Sequence, residues 1–223
     1  FQVKGENVYL MAWTTTPWTL PSNTALAVNK AFDYLLIKTK NQYTKEIVHV
    51  VVAEKLMNKV FSGIYINKKD PDNEGRKIEY EIVQKLKGSD LVGLKYNQLI
   101  DAAQPAKFPE KAFHVIHADF VSTEDGTGIV HIAPTFGADD AKAAQDSGVP
   151  GMLIENENKD LIPLVDLKGK FIDGLGFLSN KYVKNEYYSD NEVPDKSVDV
   201  EIAIKLKEQN KAFKVEKYEH SYP

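Results

Sequence analysis

Residues 126–140, with the sequence GTGIVHIAPTFGADD, decide the interpretation of this chain because they join a strand pattern directly to a helix start. The valine and isoleucine residues around His131 are typical of a β-strand, and the proline that follows favours its end, since proline cannot donate to a sheet. Two aspartates, the second of them Asp140, then suit the positive amino end of a helix. We therefore expect a strand at residues 128–132 that leads into a helix at residues 138–147.

The chemistry of this stretch centres on His131 and Asp140. An aspartate at the start of a helix can bind an ammonium group by a charge-assisted hydrogen bond, and a histidine beside it can line a pocket or bond to a substrate. A structural interpretation stays open, in which the aspartates cap the helix and compensate its dipole while His131 is a half-buried, hydrogen-bonded residue. Gly126 and Gly128 are too sparse for a phosphate-binding loop, which also needs a third glycine and a lysine.

Outward from this stretch, alternating apolar residues predict further strands at residues 8–13, 34–39, 46–52, 79–86 and 112–117. A helix is expected at residues 53–61. Residues 198–206 alternate like a strand but continue into helix-forming residues, and we favour a helix there. This mixture predicts a mainly β fold with helices (α+β), built on a curved sheet or a β-barrel.

Composition excludes several classes of function. The 223 residues are 43% hydrophobic and 27% charged, as in globular proteins, and contain no cysteine, which excludes disulfides, cysteine-ligated metals and thiol nucleophiles. The apolar runs have the length of strands, so no membrane span is expected. The net charge is −4 and Arg76 is the single arginine beside 27 lysines, which argues against a broad phosphate-binding face.

The domain organisation is inferred from the absence of linkers and repeats in the sequence. No polar linker divides the chain and no internal repeat is visible, so we expect residues 1–223 to form a single domain. The sequence opens at Phe1 without an initiator methionine or a leader. We therefore expect a piece of a longer protein, whose ends are junctions to an absent body.

A second unusual stretch, residues 13–23 with the sequence WTTTPWTLPSN, places three consecutive threonines before a proline. Threonine hydroxyls donate and accept hydrogen bonds and have few rotamers, so they can fix a water or a ribose hydroxyl at small entropic cost. In an extended chain Thr14 and Thr16 share one face and Thr15 points away. The alternative from residue types alone is an ordinary strand edge that runs into a turn.

Other standard sites are absent. The remaining histidines do not have the spacing of a helical zinc pair, and no serine lies in a nucleophile-elbow pattern, so we predict no metal and no cofactor. The histidines concerned are His49, His114, His117 and His220.

Residues 13–29, WTTTPWTLPSNTALAVN, and residues 126–140 together resemble the connective-polypeptide editing domain of class I aminoacyl-tRNA synthetases, in particular that of isoleucyl-tRNA synthetases. The valyl and leucyl relatives typically carry an arginine after two threonines, where this chain has a third threonine. The APTFG core resembles the eukaryotic-type variant. The final HSYP, residues 220–223, resembles the point where the chain re-enters the synthetase body. Residues 40–110 add little to the resemblance.

The resemblance implies roles for individual residues. Asp140 would bind the α-ammonium of the substrate, and His131 would line the side-chain pocket or contact the terminal ribose. Thr19 would help to exclude a larger side chain, and Asn23 would add a polar contact. The threonine run would position water and the ester. The expected catalytic residues are thus Thr15, Thr16, His131 and Asp140, and the expected substrate-binding residues are Thr14, Trp18, Thr19, Asn23, Gly128 and Asp140.

The resemblance implies post-transfer editing, which is hydrolysis of valyl-tRNA formed by mistake on the isoleucine tRNA, and extends to valyl adenylate. The expected partners are the valine-charged 3′ end of that tRNA and the remainder of the synthetase, in the cytoplasm and without a membrane. Neither ATP-binding signature of class I enzymes occurs, so amino-acid activation is not expected. Two alternatives stay open: a non-catalytic module of the same fold that binds or docks the tRNA end, and a small-molecule hydrolase on an unrelated barrel.

Overall fold

The computed structural model describes residues 1–72, 75 and 77–217. Arg76, His220 and the expected return segment at residues 220–223 lie outside the described residues. Four α-helices are present in the described part: α1 (Met57–Val60), α2 (Gly88–Leu91), α3 (Ala138–Asp146) and α4 (Val198–Glu208). The strands there are β1 (Val8–Leu10), β2 (Ala25–Val28), β3 (Asp33–Lys40), β4 (Ile47–Ala53), β5 (Tyr65–Asn67), β6 (Ile78–Lys87), β7 (His114–His117), β8 (Val130–Ile132), β9 (Leu153–Glu155) and β10 (Leu161–Pro163).

The larger sheet has five strands in the order β1-β4-β3-β6-β5. Its centre is antiparallel, and the two outer strands each add in parallel to a neighbour. The apolar alternation that predicts β3 and β4 places Leu35, Ile37 and Val50 in the main core. β9 and β10 form a separate antiparallel pair.

The smaller sheet positions the candidate site, with the strand order β7-β2-β8. All four residues of β2 are buried because the strand is covered on both faces. Leu26 and Val28 face the main core, whereas Ala25 and Ala27 belong to a second cluster with Ala144 of α3. Small side chains at this contact allow α3 to lie close against the sheet, which brings its first turn to the end of β8.

The ambiguous residues 198–206 form helix α4. Val198, Ile202 and Leu206 lie four residues apart and are all buried, which is the spacing of one helical face. Ser197 caps the helix, since its Oγ accepts a hydrogen bond from the backbone nitrogen of Val200. The prediction of a helix is confirmed.

The expected mixed α+β fold is confirmed, and the described strands form open sheets rather than a closed barrel, with β1 and β5 at the two edges of the larger one. The predicted strand at residues 8–13 was too long, since β1 ends at Leu10. Residues 13–16 lie in no strand, so both the strand-edge alternative and an extended threonine run are wrong. A 3-10 helix (Pro17–Ser22) follows them, with Pro17 at its first position. Strand β2 was missed because a strand buried on both faces shows no alternation.

Candidate active site

A cleft of about 450 Å³ opens between the threonine run and the connection from β8 to α3. Hydroxyls, an imidazole and a carboxylate share this space with apolar groups, which is usual for a small-molecule site. Seven of the nine predicted site residues line the cleft. They are Thr14, Thr15, Thr16, Thr19, Gly128, His131 and Asp140.

One wall of the cleft is His131, held by hydrogen bonds at both ring nitrogens. Its Nε2 lies 2.9 Å from Thr19 Oγ1, and its Nδ1 lies 3.3 Å from Asn23 Nδ2. Thr19 donates its own hydroxyl proton to the carbonyl of Thr16, at 2.9 Å, so it accepts from His131 Nε2–H. Asn23 donates to Nδ1. Burial lowers the pKa of His131 to about 4, so the ring is neutral at physiological pH.

Asp140 lies in the first turn of α3, where the positive end of the helix favours a carboxylate. Its Oδ2 accepts a hydrogen bond of 2.9 Å from the backbone nitrogen of Ala133, just beyond β8. Its Oδ1 accepts none from the described residues. Burial raises the pKa of Asp140, and the nearby carboxylate of Asp139 raises it further, against the opposing effect of the Ala133 hydrogen bond. Oδ1 is therefore the carboxylate oxygen that is available to accept a hydrogen bond from a bound group.

All three threonines of the run line the cleft because the chain bends at Thr15 instead of continuing as a strand. Thr14 Oγ1 accepts a hydrogen bond of 3.1 Å from the backbone nitrogen of Thr16 and lies 3.4 Å from Thr16 Oγ1. This local turn keeps two hydroxyls adjacent at the cleft surface, where they can hold one water between them.

Trp18 and Asn23 are outside the cleft lining and lie behind it. The ring of Trp18 packs edge-on against Phe136, with 4.9 Å between centroids, and Phe136 lines the cleft. Trp18 thus joins the threonine run to the α3 side, and Asn23 supports His131 from behind. Their predicted role in substrate binding stays a prediction.

The backbone conformation of Gly128 and a close contact with β4 both require glycine at this position. Its φ is +77°, and a Cβ there would lie 2.4 Å from the Cβ of Ala53. Tyr34 also donates a hydrogen bond of 2.6 Å to its carbonyl oxygen. The residue therefore allows β4 to approach the cleft, whatever else it contacts.

Sequence reasoning missed four contributors: Tyr96, Ala133, Phe136 and Gly137. Tyr96 comes from the stretch at residues 40–110 that carried no signal, and Ala133 contributes its backbone nitrogen, which any residue except proline supplies. Phe136 and Gly137 lie within the quoted stretch, and their spacing before the helix was the available signal.

The described residues limit the chemistry available to the cleft. No group of three or more histidine, aspartate or glutamate side chains among them is placed to hold a metal ion. None of the helices in the described ranges has the length and hydropathy needed to cross a membrane. The cleft offers a half-buried carboxylate, a neutral imidazole and clustered hydroxyls.

A second cleft, of about 480 Å³, adjoins the first and shares six lining residues with it, which are Trp13, Thr14, Thr15, Asp125, Gly126 and Thr127. Its lining includes residues 9–12 and 210–217 but none of Thr19, His131 and Asp140. We therefore assign the site to the smaller cleft.

Sequence comparison finds relatives that are named isoleucine–tRNA ligase. The chain is 49% identical to the ligase of Cytophaga hutchinsonii, over 98% of this chain and 20% of that protein. It is 43% identical to the ligase of Bacteroides fragilis over 96% and 20%, and 39% identical to that of Porphyromonas gingivalis over 100% and 21%. The chain spans about a fifth of the length of the curated relatives it matches. No protein-family model matches the chain.

Solved structures give a partial similarity of fold. The editing domain of cytosolic leucyl-tRNA synthetase from P. falciparum is 17% identical, with a TM-score of 0.43, over 62% of this chain and 46% of that structure. The corresponding domain from P. knowlesi is 18% identical, with a TM-score of 0.44, over 61% and 50%.

The curated relatives place this α+β chain within the class of aminoacyl-tRNA ligases. Among these, the chain belongs to the isoleucine–tRNA ligase family, of whose members it matches one segment.

Proposed function

We propose that the cleft at Asp140 is a post-transfer editing site that hydrolyses the ester of valyl-tRNA(Ile) and excludes the isoleucyl ester by size. The observation that carries this proposal is the free Oδ1 of Asp140 in one cleft with the Thr19–His131 wall and the threonine run. These groups come from segments more than a hundred residues apart in the chain. An amine anchor, a side-chain wall and a water site are the parts that such a hydrolase needs.

Asp140 supplies the amine anchor. A carboxylate whose pKa is raised by burial is stabilised when a cation binds, and the α-ammonium of an aminoacyl ester is such a cation. The bond from Ala133 fixes Oδ2, so Oδ1 is the atom that accepts the ammonium. The ester is then held by its amine at the start of α3, with its side chain directed by the remaining walls.

Thr19 and His131 supply the wall that limits side-chain size. Their mutual bond, together with the bonds from Asn23 and to the Thr16 carbonyl, leaves neither side chain free to rotate. A wall that cannot move excludes one extra methylene by overlap. A pocket that merely prefers isoleucine gains only about 1–3 kcal/mol over valine, a magnitude established for this pair of amino acids in isoleucyl-tRNA synthetases rather than worked out from this chain.

The threonine hydroxyls supply the water site. In hydrolysis, the water oxygen bonds to the ester carbonyl carbon, the bond from that carbon to the ribose oxygen breaks, and the ribose oxygen takes a proton. Valine and the tRNA hydroxyl are the products. Because an aminoacyl ester is already activated, an oriented water and donors to the developing oxyanion are enough without a covalent nucleophile. His131 uses both ring nitrogens in the wall, which favours a positioning role over proton transfer.

The partners follow from the proposal. The substrate is the valine-charged 3′ end of isoleucine tRNA, and valyl adenylate presents the same ammonium and side chain. Since the chain spans a fifth of its relatives, we propose that the remainder of the ligase supplies amino-acid activation and most of the tRNA contact. The net charge of −4 agrees with a domain that holds only the end of the tRNA.

The test compares deacylation of valyl-tRNA(Ile) and isoleucyl-tRNA(Ile) by the 223-residue chain, its Asp140→Ala variant and its Asp139→Ala variant. Asp139 is the matched control, because it occupies the same helical turn but is exposed and does not line the cleft. We expect the wild type and Asp139→Ala to hydrolyse the valyl ester well above the isoleucyl ester. Asp140→Ala should lose about a hundredfold in kcat/KM, since a half-buried, charge-assisted bond to the substrate is lost.

Circular dichroism establishes that both variants fold. Equal hydrolysis of the two esters by the wild type would overturn the size-exclusion proposal. Binding of the tRNA end without any hydrolysis would favour a docking module instead, and full activity of a folded Asp140→Ala protein would remove Asp140 from the mechanism.

A further inference from the structure

A chain of hydrogen bonds runs behind the His131 wall and begins at a residue outside the cleft. Tyr96 is buried, and its hydroxyl lies 2.6 Å from Asn23 Oδ1. Asn23 Nδ2 contacts His131 Nδ1 at 3.3 Å, and His131 Nε2 contacts Thr19 Oγ1 at 2.9 Å. Four side chains are therefore connected in sequence, and they come from three parts of the fold: Tyr96, the 3-10 helix with Thr19 and its C-cap Asn23, and His131 of β8.

The direction of every bond in this chain can be derived from one backbone carbonyl. Asn23 Nδ2 also lies 2.8 Å from the carbonyl oxygen of Ala25, which can only accept, so the NH₂ group of the amide must face that side. Asn23 Oδ1 then faces Tyr96 and must accept from the phenol. The same NH₂ group lies 3.3 Å from His131 Nδ1 and 3.4 Å from the carbonyl oxygen of Ile132, and a donor facing Nδ1 leaves the ring proton on Nε2.

The hydrogen bonds at Thr19, at the other end of this network, agree with this direction. Thr19 donates its hydroxyl proton to the Thr16 carbonyl, so its oxygen can only accept from His131. A proton on Nε2 satisfies that contact, whereas a proton on Nδ1 would leave two donors facing each other at Asn23. Both ends of the chain require the same tautomer.

We propose that Tyr96 is a positioning residue for the cleft. It fixes Asn23, and through Asn23 it holds His131 in the Nε2–H tautomer against Thr19. Without the phenol hydroxyl, Asn23 Oδ1 becomes a buried acceptor with no donor, and the amide is held only at its NH₂ end, by the Ala25 carbonyl. An amide held at one end can move away from His131 Nδ1, which removes the donor that excludes a proton from Nδ1 and loosens the contact of the ring with Thr19. The consequence for ester discrimination rests on the proposed function, whereas the consequence for the tautomer does not.

The substitution Tyr96→Phe removes this one hydroxyl and keeps the ring contacts. Tyr96 packs edge-on against Phe1 and Phe113, with centroids 5.4 Å and 6.1 Å away, and phenylalanine retains both contacts. Tyr65→Phe is the matched control. Tyr65 of β5 is also buried, but its hydroxyl has no hydrogen-bond partner among the described residues, and Tyr65 does not line the cleft.

The first measurement is the tautomer of His131, read from the ¹⁵N shifts of the ring in uniformly labelled protein at pH 7. We expect the wild type and Tyr65→Phe to show a protonated Nε2 and an unprotonated Nδ1, and Tyr96→Phe to show shifts averaged between the two tautomers. A wild-type ring protonated at Nδ1 would overturn the proposal without any variant. An unchanged tautomer in folded Tyr96→Phe would also overturn it.

The second measurement is the ratio of kcat/KM for valyl-tRNA(Ile) over isoleucyl-tRNA(Ile). We expect Tyr96→Phe to lower this ratio by about fivefold to tenfold, as the wall loosens, while Tyr65→Phe leaves it unchanged. If the wild type hydrolyses neither ester but the tautomer shifts in Tyr96→Phe, the proposed function fails and the positioning role stands. If the wild type hydrolyses the valyl ester selectively but Tyr96→Phe changes neither the ratio nor the tautomer, the positioning role fails and the proposed function stands.

Discussion

Acidification should destabilise the folded chain through His131, and substitution of this residue should isolate the effect. An ordinary histidine has a pKa near 6.5, whereas burial lowers the pKa of His131 to about 4. Between these two values the unfolded chain binds a proton that the folded chain does not, so the free energy of unfolding rises with pH. The stability from the neutral ring is complete above pH 6.5 and is lost as the pH falls toward 4.

The magnitude follows from the size of the pKa difference. One pKa unit corresponds to about 1.4 kcal/mol, so a fall from 6.5 to about 4 corresponds to about 3 kcal/mol as an upper bound. Because the ring is partly exposed to the cleft, solvent screening lowers the observed value toward about 2 kcal/mol. The loss should be nearly complete at pH 4.

Urea unfolding of the wild type and of His131→Gln at pH 7, 5.5 and 4.5 measures this effect. Glutamine does not titrate, and the other groups titrate in both proteins, so their contributions cancel in the difference. We expect the advantage of the wild type to shrink steadily from pH 7 to pH 4.5. A difference that stays constant with pH, or a His131 that titrates near 6.5 by NMR, would refute the desolvated neutral ring.

Two further predictions concern residues that position the site. In Gly137→Ala, the new Cβ would lie 3.3 Å from Asp140 Cγ, and we expect kcat/KM for the valyl ester to fall about threefold to tenfold. The melting temperature should stay unchanged, because the φ of Gly137 suits alanine. An unaltered rate would show that Asp140 can shift without consequence. Asp199→Ala removes the carboxylate that accepts a hydrogen bond of 2.7 Å from the backbone nitrogen of Trp18, and it should lower the free energy of unfolding by about 1 kcal/mol. Asp199→Asn keeps an acceptor and should keep most of the stability. Equal losses in the two variants, measured by urea unfolding, would contradict the capping role.

The β8–α3 stretch shows what local sequence can predict. The alternation around His131, the aspartates at the first turn and Gly148 after the helix are all signals within a few residues, and the observed α3 (Ala138–Asp146) matches the expected helix to one residue. The candidate residues His131 and Asp140 were found for the same reason, since they lie at the junction of the two patterns.

The threonine run shows where local signals fail. Three β-branched residues favour a strand, but the chain bends there and enters a 3-10 helix (Pro17–Ser22). The first free amide of that helix, at Trp18, is capped by Asp199, which is 181 residues away. Neither the cap nor the packing of Trp18 on Phe136 leaves a trace in the neighbouring sequence.

The sequence by itself determined the mixed α+β class, the helix that carries Asp140 and the residue types that we propose as an amine anchor, because each depends on patterns within one or two turns. The tertiary structure alone decided that Thr19 and Asn23 hold His131 from both sides and that Tyr96 completes the network. Hydrogen bonds of this kind depend on the distance between atoms and not on their separation along the chain. The pairing of β2 with β8, which places Leu26 opposite His131, brings the segment that carries Thr19 and Asn23 next to the imidazole.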